Sequence, residues 1–589
     1  MLLDFGLTKH LDPAIKVAFS RLMHASDETD VDSLIQSFEE MGLKMNRHDP
    51  FEDMAAMQRS FQETVPQTQA REVSSEKSKD SKARMEALKE EQGIQKDQKL
   101  RNPVEAWPAE LVFFGRVTNL LRGLCSRLDV RYPYLHTMAV SARKTLQESI
   151  PAEERATQLI FPVCVTTETN LQRRLVEAIE DLHAKGQMVG LQVAVISQGK
   201  EVVNLAAGTL GTANSRPFKP STLVNIFSVA KAFLSTGVLR LVQDGRLDLD
   251  DPVCKHWPEF KKPEITIRHV LTHQAGLANA LPEDATLDTL LDWFGMRQHM
   301  QEAKPEHAPG TKTVYHYLTY CWLCGGIIEQ VTGKHYDEYL DEIFDNESMD
   351  LYLGGLPSTI NHDDLASLSV VRNESQEDGP GRGEAPGSEG NHHAAAKGHE
   401  QSSPASTEDP ASKYEEDVVD GEKKPKFKKV LAKYRGREQL LNPSVFNMKR
   451  VREAKLPSAN VHASAASLAC VMDSLPLTPA MIDLARERPP AAQDTEKVAL
   501  LDDSDAYFGL GFQVHEIYRK ESTFGIGEEK LHSMGHAGLG GSVVLTIPEA
   551  KLTVAITTNQ LDQSARARNT LLDIIFEEYG LEAPTSMKR

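Results

Sequence analysis

Two hairpin-like strand pairs stand at opposite ends of one long stretch of this chain, and any fold has to accommodate both. Leu191 to Ile196 and Glu201 to Leu205 flank the polar turn Ser197-Gln198-Gly199-Lys200, a composition suited to a tight antiparallel connection. Ser542 to Ile547 and Leu552 to Thr557 do the same around Pro548-Glu549-Ala550-Lys551. A helix from about Thr169 to Lys185 precedes the first pair, with Leu171, Leu175, Val176, Ile179 and Leu182 on one face and Gly186 as its stop. Another, from about Gln563 to Tyr579, follows the second. Sheet strands therefore lie at both ends of one α+β domain.

Polar sequence interrupts that domain. From about Asp363 to Lys428 the chain turns to Glu, Gly, Pro, Ser, His and Lys without apolar period, and such a tract buries too little apolar surface to offset the entropy of ordering it. A disordered insert over 366–437 is predicted. His392 and His393 within it lack an ordered framework for a metal, and a solvated tract is the simpler reading. The domain itself is placed at 168–365 and 438–582, after a linker over 151–167. Before it, 1–150 shows helical apolar spacing at Ile15, Ala18, Leu22, Leu34 and Phe38, and again at Leu111, Val117, Leu120, Leu121 and Leu124. These are expected to be buried helices of an all-α fragment, with a charged connector at about 64–100.

The net charge of −19 over 589 residues argues against a nucleic-acid surface, which needs clustered cations on a basic face. No run reaches the roughly 18–20 apolar residues that span a bilayer. The first residues lack the basic and apolar regions of a secretion signal and read as if they begin within a domain. Six cysteines in so long a chain do not form a small disulfide framework, so a reducing compartment is the expectation. No cofactor and no metal site is implied, and Cys321 and Cys324, beside Trp322 and Leu323, read as buried core thiols.

A serine three residues before a lysine at a helix start places amine and hydroxyl on one face, where the amine can assist deprotonation. The pattern occurs at Ser74/Lys77, Ser141/Lys144, Ser197/Lys200 and Ser228/Lys231, so context must choose. Only Ser228 opens an amphipathic helix, continuing through Phe233, Leu234, Val238 and Leu241 to Asp244-Gly245. A helix N-terminus also supplies backbone N–H groups suited to an oxyanion. Taken alone, Ser228 reads equally well as a helix cap.

Further motifs follow in order: Pro309-Gly310-Thr311-Lys312 and Tyr315-His316-Tyr317 running into Gly325-Gly326, then Gly535-His536-Ala537-Gly538-Leu539-Gly540-Gly541. With Ser228-x-x-Lys231, and with Leu249-Asp250-Asp251-Pro252, Leu271-Thr272-His273-Gln274-Ala275-Gly276-Leu277 and Phe508-Gly509-Leu510-Gly511-Phe512, the chain resembles the serine β-lactamase-like family, in particular its class C and carboxylesterase branches. The resemblance implies a β-lactamase/penicillin-binding-type domain, an antiparallel sheet flanked by helices, hydrolysing through an acyl-enzyme on Ser228. It also implies that Lys231 and Tyr315 share the base work, that Tyr317, His536, Gly538 and Leu539 bind substrate, and that Leu539 supplies an oxyanion N–H. A nearby ammonium is expected to lower the Tyr315 phenol. Tyr317 replaces the amide of Tyr-x-Asn members, and His536 the cation of Lys-Thr-Gly members, which favours an ester, amide or short peptide over a penicillin. The alternative class is a catalytically silent fusion acting as an interaction scaffold, or a fragment of a regulatory protein resembling UbiB-type kinases.

Asp4-Phe5-Gly6, with the helices after it and Arg101-Asn102-Pro103, gives 1–148 a resemblance to the C-terminal part of AarF/UbiB-type atypical kinases. That resemblance implies a kinase C-lobe fragment with Asp4 as a vestigial Mg²⁺ candidate, and a mitochondrial or plastid location. A kinase's phosphate-covering loop and catalytic loop would precede Asp4, so phosphotransfer is not expected.

Overall fold

The strand Gly190–Ser197 is apolar along nearly its whole length because both of its faces are covered. Leu191, Val193 and Val195 point into one apolar cluster, with Leu175 and Ile179 of the helix Asn170–Ala184 and Leu571 and Ile575 of the helix Arg566–Glu578. Ala194 and Ile196 point into another, with Leu468 of the helix Ala465–Asp473. A computed structural model describes residues 12–45, 53, 54, 57, 104–106, 109–128, 130, 132–162, 169–344, 349–370, 442–489, 506–519, 529–584 and 587.

The two hairpins meet in one antiparallel sheet. Strand Leu552–Thr558 pairs with Gly190–Ser197, setting Ile556 opposite Val193, and Val193 also faces Leu205 on the strand Lys200–Gly208. Strands Val543–Ile547, Lys530–Ala537, Gln513–Arg519 and Ala506–Phe508 continue outward from Leu552–Thr558. Gln192, the polar residue in the central strand, is buried but satisfied: its Nε2 donates to the Lys219 and Thr222 carbonyls, and its Oε1 accepts from the Ala465 N–H. The helix before the first hairpin, Asn170–Ala184, is capped by Thr169, whose Oγ1 accepts from the Gln172 N–H.

Several boundaries differ from expectation. The presumed linker carries an edge strand, Ile160–Pro162, paired with Lys200–Gly208. The fold also continues past 365, with Ala366 and Leu368 buried and Ser369–Val370 pairing with Gln560–Leu561. Residues 371–441, which hold His392, His393 and most of the expected insert, lie outside the described residues. So do Asp4, its Phe-Gly partners and the whole 64–100 connector.

The N-terminal region is not purely helical. Lys44–Met45 pairs antiparallel with Val104–Ala106, a ribbon too short to leave a period-2 signal. Helices Pro13–Glu28, Val31–Glu40 and Tyr134–Ser149 do pack together, through Leu22, Leu34, Phe38, Tyr134 and Ala142. The same cluster takes in Leu287, Val445, Met448 and Val451 of the larger domain. Ser444 donates to the Glu28 carbonyl at 2.7 Å and the Lys449 N–H donates to Asp32 at 2.6 Å, so polar contacts reinforce the junction. The helix Ala109–Arg127 overturns one expectation, because its Val117, Leu120, Leu121 and Leu124 are exposed rather than buried.

Candidate active site

The short strand Val224–Asn225 turns abruptly into a single 3₁₀ turn, Phe227–Ala230, and then into the α-helix Lys231–Gln243. The turn is made at Phe227, whose φ of 49° lies in the left-handed region. A bulky side chain there carries strain of about 1–3 kcal/mol. Two contacts hold it: the Phe227 N–H donates to Asn225 Oδ1 at 2.8 Å, and the ring packs edge-on against Phe446 at 5.2 Å. Ser228 therefore stands one short turn before the α-helix proper, with Lys231 as the first residue of that helix.

Among the described Ser-x-x-Lys pairs, this one is brought together inside the protein. Lys231 is fully buried, with its Nζ 2.9 Å from Ser228 Oγ and 3.2 Å from the Ser458 carbonyl. By contrast Ser141 is exposed and the Lys144 side chain is 78% exposed toward Glu148, while Ser197 and Lys200 lie at the hairpin turn. Ser74 and Lys77 lie outside the described residues.

Burial decides the protonation pattern. It draws the Lys231 ammonium down from 10.5 to about 7, since a buried cation loses its hydration. The Tyr315 phenol is pushed well above its usual range, chiefly by burial and only partly offset by the Ser228 hydroxyl. The expected lowering of Tyr315 by the ammonium is thus reversed, because desolvation of the phenolate dominates. Lys231 Nζ lies over the Tyr315 ring, 5.0 Å from its centroid. Part of the Tyr315 ring is accessible, but its Oη is buried without a hydrogen-bond partner of good geometry.

His536 forms the facing wall, on the strand Lys530–Ala537. Its Nδ1 lies 2.7 Å from the Ala537 carbonyl, which places the proton on Nδ1 and leaves Nε2 as a buried acceptor without a partner. Burial, then the Lys231 charge, lowers this imidazole to about 3, so it is neutral. Gly538 explains itself sterically: a Cβ there would stand 2.3 Å from the Ile226 carbonyl oxygen. Only glycine lets the end of this strand close on the backbone just before Ser228 and bring Leu539 with it. Tyr317 is 42% exposed, with its ring centroid 5.7 Å from Lys231 Nζ.

Three further residues complete the surroundings. Phe508 stacks on Tyr315, ring centroids 5.4 Å apart and planes 17° from parallel. His273, at a left-handed φ of 59°, lies 4.9 Å from the Tyr315 ring, and its Nδ1 accepts the His316 N–H. The Ser458 carbonyl is aimed at Lys231 from a loop tied down by Asn460, which donates to the Val451 carbonyl. Phe508 and His273 fall in motifs visible in the sequence; a backbone acceptor such as Ser458 leaves no side-chain signal. Cys321 and Cys324 are buried in the helix Thr319–Thr332.

The Beta-lactamase family model matches residues 175–575, more than half of the chain. Among curated relatives, the Esterase/beta-lactamase LipL of Mycobacterium tuberculosis (strain ATCC 25618 / H37Rv) is 32% identical over 191 residues, 31% of this chain and 43% of that protein. Protein flp of Staphylococcus aureus (strain N315) is 30% identical over 176 residues, 29% of this chain and 35% of that protein. The chain thus spans less than half the length of these relatives. A solved penicillin-binding protein homolog from Caulobacter crescentus is 25% identical with a TM-score of 0.49, covering 71% of this chain and 100% of that one. With the family model spanning most of the sheet, the serine turn and the His536 wall, the chain belongs to the beta-lactamase family.

Proposed function

We propose that the chain is a serine hydrolase that cleaves esters or amides through an acyl-enzyme on Ser228, and that its substrates carry no anionic group beside the scissile carbonyl. The observation that carries this reading is the buried 2.9 Å contact between Ser228 Oγ and Lys231 Nζ, with an amine poised near neutrality. As a neutral amine Lys231 accepts the Ser228 proton when Oγ attacks, while an N–H still donates to the Ser458 carbonyl. Tyr315, held protonated by burial, serves as the acid that delivers a proton to the leaving group. The Ser228 and Leu539 N–H groups are the oxyanion donors in this reading.

The wall opposite favours neutral substrates. His536 offers a lone pair where a fixed cation would bind a carboxylate, so a penicillin-like anion gains nothing there, and a substrate N–H or O–H can be accepted. The name of one relative, Esterase/beta-lactamase, is consistent with ester hydrolysis. Within this proposal the N-terminal helices, which resemble part of an AarF/UbiB-type kinase, serve as a docked structural module without phosphotransfer.

The test is covalent labelling with a fluorophosphonate, with Ser228→Ala as control, beside turnover of uncharged p-nitrophenyl esters and of anionic nitrocefin. Ser228-dependent labelling with ester turnover well above nitrocefin turnover is expected. Equal, slow hydrolysis by wild type and Ser228→Ala would replace the hydrolase with a silent scaffold.

A further inference from the structure

The helix Ala109–Arg127 presents an apolar stripe to solvent. Val117 is 38% exposed, Leu120 64%, Leu121 42%, Leu124 45% and Leu128 63%, the last still bonded into the helix through its N–H to the Leu124 carbonyl. At 3.6 residues per turn these five fall within an arc of roughly 100°. Thr118 projects from the other side, where its hydroxyl meets Tyr134 Oη at 3.1 Å, so that side is the one packed on the protein. Isolated surface leucines are ordinary, but a continuous stripe facing outward marks a binding surface.

Charge says what the stripe faces. The helix Ala109–Arg127 carries Arg116, Arg122 and Arg127 against one acidic residue, Glu110, in a protein whose net charge is −19. Arg116 and Arg127 are exposed, and on the helical wheel both fall beside Leu120, along one edge of the stripe. An apolar stripe bordered by arginines is the pattern of a helix lying in the plane of a bilayer surface. Among the described residues no helix is long and apolar enough to cross one.

We propose that this helix docks the protein on an anionic lipid surface, with Val117, Leu120, Leu121, Leu124 and Leu128 seated at the acyl boundary and Arg116 and Arg127 among the headgroup phosphates. A second copy of the chain is the less favoured occupant, because a self-complementary face would bring the arginine borders of two copies together with only Glu110 on each helix to offset them.

The experiment is co-sedimentation of the full chain with vesicles of phosphatidylcholine alone or mixed with phosphatidylglycerol, at low and raised salt. Sedimentation velocity without lipid is run in parallel. The wild type is expected to partition onto the anionic vesicles and to be released by salt. Leu120→Glu/Leu124→Glu and Arg116→Glu/Arg127→Glu should each lower the partition coefficient roughly tenfold or more, with helical circular dichroism and Ser228 labelling unchanged. Partitioning that ignores both variants overturns the proposal, as does failure of the folded wild type to bind anionic vesicles. A dimer that Leu120→Glu/Leu124→Glu dissolves would hand the face to a second copy instead.

Discussion

Replacing Lys231 by methionine should kill the enzyme and stabilise the protein, and the second effect has a magnitude. Burial takes Lys231 from 10.5 to about 7, and at about 1.4 kcal/mol per tenfold change in proton affinity this sets ~5 kcal/mol against keeping the ammonium folded. Methionine fills similar space without charge. It forfeits the contacts to Ser228 Oγ and the Ser458 carbonyl, about 1 kcal/mol each, plus a similar cost for the stranded carbonyl. A net gain of about 1–3 kcal/mol at pH 7 is left.

The sign of the pH dependence separates this from generic repacking. From about pH 7 up to 10.5 the unfolded chain holds a proton at Lys231 that the folded chain has released, so wild-type stability rises with pH across that window. Below it both states are protonated and the penalty is constant. Urea unfolding at pH 7 and pH 9 should therefore show the wild type gaining about 2 kcal/mol relative to Lys231→Met. Parallel pH dependence in the two proteins would refute a depressed Lys231, and with it the neutral-amine mechanism.

Tyr315→Phe retains the stack on Phe508 but loses the acid, so ester turnover should fall roughly 10²–10⁴-fold with fluorophosphonate labelling of Ser228 less affected. Gly538→Ala drives a Cβ to 2.3 Å from the Ile226 oxygen; steady-state kinetics should show roughly 10²-fold lower kcat, and an unchanged kcat would mean that the strand end does not set the oxyanion site. Excising 371–437 should leave thermal unfolding and ester turnover within about twofold of wild type, since added loop length costs little.

Context rather than motif singles out Ser228 in the sequence. Four Ser-x-x-Lys pairs were indistinguishable by spacing, and only Ser228 had an amphipathic helix behind it; in the structure that helix is what buries Lys231. Both hairpins were legible from their turns, yet the pairing of Val193 with Ile556 that joins them is a long-range contact no local pattern encodes. The sequence shows a lysine near Tyr315 but not the burial of the Tyr315 oxygen, and that burial reverses the expected shift of its phenol. The helix Ala109–Arg127 failed for a related reason: its apolar period was read correctly, but a period states that one face is apolar and not whether that face meets protein or solvent. The ribbon at Lys44–Met45 and the Ser458 carbonyl left no side-chain pattern at all.

The junction with the N-terminal helices reaches the Ser228 turn through one ring. Phe446 packs against both the main core and the cluster containing Leu34 and Phe38, and its edge-on contact with Phe227 braces the left-handed residue that aims Ser228. Strain at Phe227 persists only while its surroundings over-determine it, so removing the brace should relax the turn as well as loosen the helices. Phe446→Ala, at a partly buried site, should destabilise by about 2 kcal/mol and slow Ser228 labelling by a fluorophosphonate. Hydrogen exchange should increase both at 224–231 and at 31–40. Phe446→Leu, which restores apolar volume without an aromatic edge, should recover stability and exchange at 31–40 more fully than labelling. If Phe446→Ala labels as fast as wild type and exchange rises only at 31–40, the N-terminal helices are attached to the hydrolase without bearing on its nucleophile.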